Sequence, residues 1–142
     1  MVDRWRRLLP GLWAGMLLCI AALAAPAAFN SLPSAEAGQV VSRIFVREAW
    51  ISLGLAAVLL LLERGRGNQP GLGNVPLLWV TVVSTLLGYF AVQTLMPAAR
   101  VGQGELSFGQ LHLISTVFYG IKTLVVLLLA WRAAGFSRPP FS

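Results

Sequence analysis

The stretch LHLISTVFYGIKTLVVLLLAW, residues 111–131, runs for 21 residues with one charged side chain, Lys122. A helix needs roughly 20 apolar residues to cross a hydrocarbon core of about 30 Å, so this run is long enough to span a membrane. Three runs upstream match it, residues 8–29, 44–62 and 76–96, and all four are 19 to 22 residues long. Together they occupy more than half of the 142 residues and leave no room for a separate soluble domain. None alternates with the period of a barrel strand, and a lipid interior then leaves helices as the way to satisfy the backbone. The sequence predicts an all-α membrane protein, one integral membrane domain over residues 1–142 built as an up-down bundle of four transmembrane helices.

Composition agrees. Hydrophobic residues make up 57% and charged residues 11%, against roughly 25% charged in soluble domains. The net charge of +6 does not form one patch, because the basic residues sit at the span ends. No nucleic-acid partner is expected; the lipid bilayer is. Cys19 is the single cysteine, so no intrachain disulfide can form, and small apolar packing is its expected role. The segment Asp3-Arg4-Trp5-Arg6-Arg7 with Ala22-Leu23-Ala24 resembles a signal peptide and its cleavage site. The apolar run between them exceeds the roughly 7–15 residues of such signals, so we read it as a helix.

Orientation follows from Lys and Arg, which are enriched on the cytoplasmic side. Arg4, Arg6, Arg7, Arg64, Arg66, Arg132 and Arg138 make seven on the side of the termini, against three, Arg43, Arg47 and Arg100, on the other. Both termini and the middle connection are therefore expected in the cytoplasm, with Trp5, Trp79 and Trp131 at that interface. The connection over residues 65–74 is dense in glycine, and we read it as a flexible hinge; it lacks the Gly-Lys-Ser/Thr ending of a phosphate loop. The tail from Ser137 to Ser142 is expected to be disordered.

Ser34 is placed to cap the second helix, which would then run from about Ala35 to Glu63, 29 residues. At 1.5 Å per residue that is about 43 Å, longer than the hydrocarbon is thick, so its first turns must project or tilt. In the first helix Gly11, Gly15 and Cys19 repeat every four residues. Such a ridge permits close helix approach, either within the chain, which we expect here, or across a homodimer seam.

Polar residues inside the spans are the candidates for chemistry, since ionisable groups in a membrane face an interior or a wet cavity. His112, Ser115, Tyr119 and Lys122 are spaced three, four and three apart and share one face of the fourth helix. Lys122 lies about 14 Å and His112 about 28 Å from Trp131 along that helix. Glu48 lies about 22 Å from Glu63 along the second helix, between those two depths, so a Glu48–Lys122 bridge is geometrically allowed. Ser52 stands one turn below Glu48, and Thr81, Ser84, Thr85, Tyr89 and Gln93 add hydrogen-bonding groups on the third helix. Arg43 and Arg47 occupy an adjacent face, placed to meet lipid phosphate or to close onto Glu48. These groups form either a structural network or a ligand site. No cofactor or metal is expected: one histidine excludes a bis-histidine haem, and Met16, Cys19 and Met96 are too scattered to help His112 hold copper.

The segments Leu12-Trp13-Ala14-Gly15, residues 25–32, Ala37-Gly38, Arg43-Ile44-Phe45, and Phe108-Gly109-Gln110-Leu111-His112 with Ser115 resemble an uncharacterised bacterial membrane family, the domain of unknown function numbered 4149. That family is distantly similar to transmembrane protein 205, and the likeness spans about residues 8 to 125. Leu113 stands where the family commonly has the glycine of a Leu-His-Gly motif, which takes away room for close backbone approach there. The resemblance implies a multi-pass protein of the bacterial inner membrane and no established activity.

Two functional readings follow. One is a non-enzymatic accessory or assembly subunit that binds another membrane protein or its own copies. The other is a small transporter or ligand-binding protein that uses the polar face of the fourth helix. Size favours the first, since four helices barely enclose a pathway. An enzyme would need a nucleophile, metal cluster or paired carboxylates, none of which the sequence offers.

Overall fold

In lipid the backbone has no partner but itself, and each long apolar run closes its own hydrogen bonds as a helix. The computed structural model describes residues 1–65 and 73–135. It has four helices long and apolar enough to cross a membrane, Val2–Ser31, Ser34–Arg64, Val75–Ala99 and Phe108–Gly135. The first span is α1 (Val2–Cys19), a π-helical turn (Ile20–Ala24) and α2 (Ala25–Ser31). The second is the unbroken α3 (Ser34–Arg64). The third is α4 (Val75–Thr85), a π-helical turn (Leu86–Ala91) and α5 (Val92–Arg100), and the fourth is α6 (Phe108–Gly135). Of the expected glycine-rich hinge over residues 65–74, residues 66–72 lie outside the described residues, as does the whole of the expected disordered tail, residues 137–142.

Local chemistry sets the corners. Leu32 is extended, with φ −126° and ψ 154°, because the proline after it crowds a helical conformation. Pro33 then precedes α3 directly; Ser34 is its first residue and makes no capping hydrogen bond, so the expected Ser34 cap is corrected. With 31 residues α3 is about 46 Å long and exceeds the hydrocarbon thickness. At the end of α5, Gly102 takes φ +71°. Its N–H donates to Ala99 O at 3.3 Å and that of Gln103 to Ala98 O at 3.0 Å. These two bonds and the left-handed glycine are a Schellman ending. A capping box opens α6: Gln110 N–H donates to Ser107 Oγ at 3.3 Å and Ser107 N–H to Gln110 Oε1 at 2.9 Å.

The interior is layered. Trp13, Ala14, Leu17, Ala56, Leu59, Leu78, Val126 and Leu129 form an apolar layer drawn from all four spans. Val92, Met96 and Leu111 form a second where the third and fourth spans meet. Polar residues lie between the two. Arg6 ties the first two spans together at one end, donating to Leu62 O at the close of α3 while pairing with Asp3 at 3.0 Å. A cation there complements the negative end of the helix dipole.

Gly11 and Gly15 are exposed, and a Cβ built on either would meet nothing within 4 Å. Cys19 is exposed as well. The expected packing of this ridge within the chain is therefore corrected: it lies on the outside of the helices, because small residues permit close approach without naming a partner. Gly15→Leu is expected to change the stability of the isolated chain in detergent by no more than about 0.5 kcal/mol, as for open surface positions. Thermal unfolding checks this, and a marked fall in midpoint would show that something covers the face.

Candidate functional site

Glu48 on α3 and Lys122 on α6 are each 3% exposed. An ionisable group this far inside a membrane is costly unless neutralised. Lys122 Nζ donates to Glu48 Oε1 at 2.7 Å, so each charge meets its opposite. The same oxygen accepts the hydroxyl of Ser52, one turn further along α3, and Ser52 Oγ accepts the indole N–H of Trp13 at 3.0 Å. Donors from the second and fourth spans thus meet on one carboxylate oxygen, and the first span reaches it through Ser52. The ammonium lies 5.0 Å from the centre of the Tyr119 ring, within cation–π range. That ring stands edge-on to Phe45 with centroids 5.2 Å apart, and its hydroxyl donates to Leu17 O at 2.8 Å.

The third span joins through its backbone. Just past the π-helical turn the N–H of Val92 points to Tyr89 O, three residues back, and not to Gly88 O, four back, as in an α-helix. Gly88 O accepts the Ser115 hydroxyl at 2.7 Å. A Cβ on Gly88 would run into Phe118 Cβ and stand 3.1 Å from its Cγ, so the two helices cross at the hydrogen atom of a glycine. The hydroxyls of Thr81 and Thr85 stay on their own helix, donating to Leu78 O at 2.7 Å and Thr81 O at 2.8 Å.

A cavity beside the ion pair is lined by Glu48, Lys122, Ser84, Tyr89, Ser115 and Tyr119 among others. The centre of a water molecule can move through about 20 Å³ of it. That suits one water, which needs roughly 10–15 Å³ by this measure, and is too little for an organic solute. The arrangement holds two opposite charges in a fixed, nearly dry place. Among the described residues the cluster leaves no buried side-chain nitrogen or oxygen without a partner; the one orphan is Arg6 Nε, at the far end of α3.

Ser115, Tyr119, Lys122, Glu48 and Ser52 come together. His112 does not, and its place in the stripe is corrected: it is exposed and lies parallel to Phe108, centroids 6.4 Å apart and planes 10° apart. At about 100° per residue, ten positions bring His112 about 80° round the helix from Lys122. Arg43 and Arg47 are exposed and do not close onto Glu48. Sequence reasoning passed over Trp13 and Gly88. The signal for Trp13 was an indole N–H about one and a half turns inside an apolar run, which must find an acceptor when buried. Gly88, in the run LLGYFA, carried no comparable signal.

This chain belongs to the family described as a domain of unknown function, DUF4149, which it matches over residues 8–105. Trp13, Glu48, Ser52 and Gly88 lie inside that match, and Ser115, Tyr119 and Lys122 beyond it. No curated protein and no solved structure matches the chain.

Proposed function

We propose that the chain is a non-enzymatic accessory or assembly subunit of the bacterial inner membrane, binding another membrane protein or a second copy of itself through its lipid-facing surface. It forms one membrane domain, an up-down bundle with both termini in the cytoplasm. The observation that carries this reading is the closure of the interior: Glu48, Lys122, Ser52 and Trp13 satisfy one another, and the adjoining cavity admits about one water. A chain that spends its polar side chains on itself has its outer face left for partners. Support for the alternating direction of the spans comes from contacts in opposed order, Arg6 with Leu62 and Trp13 with Ser52. Support for the orientation comes from the seven-to-three division of arginines.

Native mass spectrometry after mild extraction tests the reading. A second copy or another membrane protein at fixed stoichiometry is expected; a monomer carrying a small solute would favour the alternative, a small transporter or ligand-binding membrane protein that uses the polar face of the fourth helix. Reporter fusions test orientation. Those after Gly67 and Ser142 are expected to report cytoplasm and one after Gly102 periplasm, and a periplasmic signal after Gly67 would overturn the arrangement.

A further inference from the structure

Arg43 and Arg47 lie four residues apart on α3 and so share one face. Both are exposed, and Trp50, 63% exposed, continues the same face one turn further on while its ring stands edge-on to Phe90 at 5.4 Å. Counted from Arg64 at about 1.5 Å per residue, Arg47 is about 25 Å and Arg43 about 31 Å along the helix. The hydrocarbon is about 30 Å thick, so one guanidinium stands at its edge and the other just inside, within reach of the phosphate level by snorkelling. The nine residues of α3 before Arg43 carry the helix on through the headgroups.

Among the described residues no acidic side chain balances these charges. Among the described residues neither arginine enters an ion pair. Asp3 is taken by Arg6 and Glu48 by Lys122; Glu63 is at the other end of the helix, and Glu36 and Glu105 make no bridge to either arginine. Two like charges one turn apart repel each other, and more strongly where water is scarce. The missing anion must come from the membrane. Guanidinium forks match phosphate oxygens, and Trp50, about 21 Å along the helix on the same count, lies below them at the depth of the acyl chains.

We infer that Arg43 and Arg47 form a binding site for the phosphate headgroup of an anionic phospholipid, with Trp50 beneath them against its acyl chain, in the leaflet at the end of the helices away from the Arg6–Leu62 contact. A net charge of two on the protein side favours an anionic lipid over a zwitterionic one, whose ammonium or choline would be repelled.

The test uses the full chain in nanodiscs of equal parts phosphatidylglycerol and phosphatidylcholine, with the retained lipid read by native mass spectrometry. Wild type is expected to retain phosphatidylglycerol about tenfold over phosphatidylcholine, the order that two arginines at an anionic surface supply. Arg43→Gln/Arg47→Gln should retain both equally, and Arg132→Gln, at the other end of the protein, should keep the preference. If the double glutamine variant does not fold, Arg43→Lys/Arg47→Lys is read instead, and a preference cut severalfold is expected because lysine lacks the fork. Retention that ignores headgroup, or a preference unchanged in the readable arginine variant, overturns the site. Loss of the bound lipid on adding inorganic phosphate would also overturn it, since the site is proposed for lipid and not for free phosphate.

Discussion

Lys122→Met should lower the unfolding free energy by about 3 kcal/mol, the scale on which a buried pair suffers when one partner is removed. The 2.7 Å contact with Glu48 is the reason. Without the ammonium the carboxylate stays in a nearly dry place with only the Ser52 hydroxyl donating to it. Glu48→Gln leaves the lysine charge stranded in the same way. The double variant removes both charges and is expected to be more stable than either single variant, with a coupling of at least about 1 kcal/mol. Interhelical hydrogen bonds between neutral groups in membranes average only about 0.6 kcal/mol, so a coupling of this size separates an ion pair from ordinary polar contact. Chemical unfolding in mixed micelles gives the four free energies, and strict additivity would remove the pair from the account.

Gly88→Ala should also be severe, by about 2–3 kcal/mol, as for overpacking in a close-packed interior. The added methyl would overlap Phe118 Cβ, an atom that turning the phenylalanine ring cannot move. The third and fourth spans would have to separate, and the Ser115 bond to Gly88 O at 2.7 Å would stretch with them. Phe118→Ala keeps the offending Cβ and should not rescue Gly88→Ala; Phe118→Gly should. Thermal midpoints of the single and double variants decide, and rescue by Phe118→Ala would place the clash in the ring instead.

The spans were legible because lipid leaves the backbone one solution over about 20 apolar residues. Glu48 and Lys122 could be matched from depth alone, since rise along a helix is fixed at about 1.5 Å per residue. Rotation is harder to carry: spacings of three and four keep neighbours on a face, yet over the ten residues from His112 to Lys122 the small angular errors accumulate and put the histidine outside. Gly11 and Gly15 show a second limit, because their spacing states that a close approach is allowed and is silent on what approaches. Ser107 and Gln110 do carry a readable cap in the spacing S-x-x-Q before an apolar run. The π-helical turn at Leu86–Ala91 has no such pattern. It follows from how two helices cross at Gly88, a property of the assembled protein and not of the segment.

Glu48 and Lys122 join the second and fourth spans through a buried ion pair at 2.7 Å. Solid-state NMR on the full chain in liposomes tests it most directly, through the dipolar coupling between ¹⁵N-labelled Lys122 Nζ and the ¹³C-labelled Glu48 carboxyl carbon. The 2.7 Å nitrogen-to-oxygen distance predicts strong dephasing in the wild type. Absence of coupling in the wild type, with the protein folded, would contradict the account.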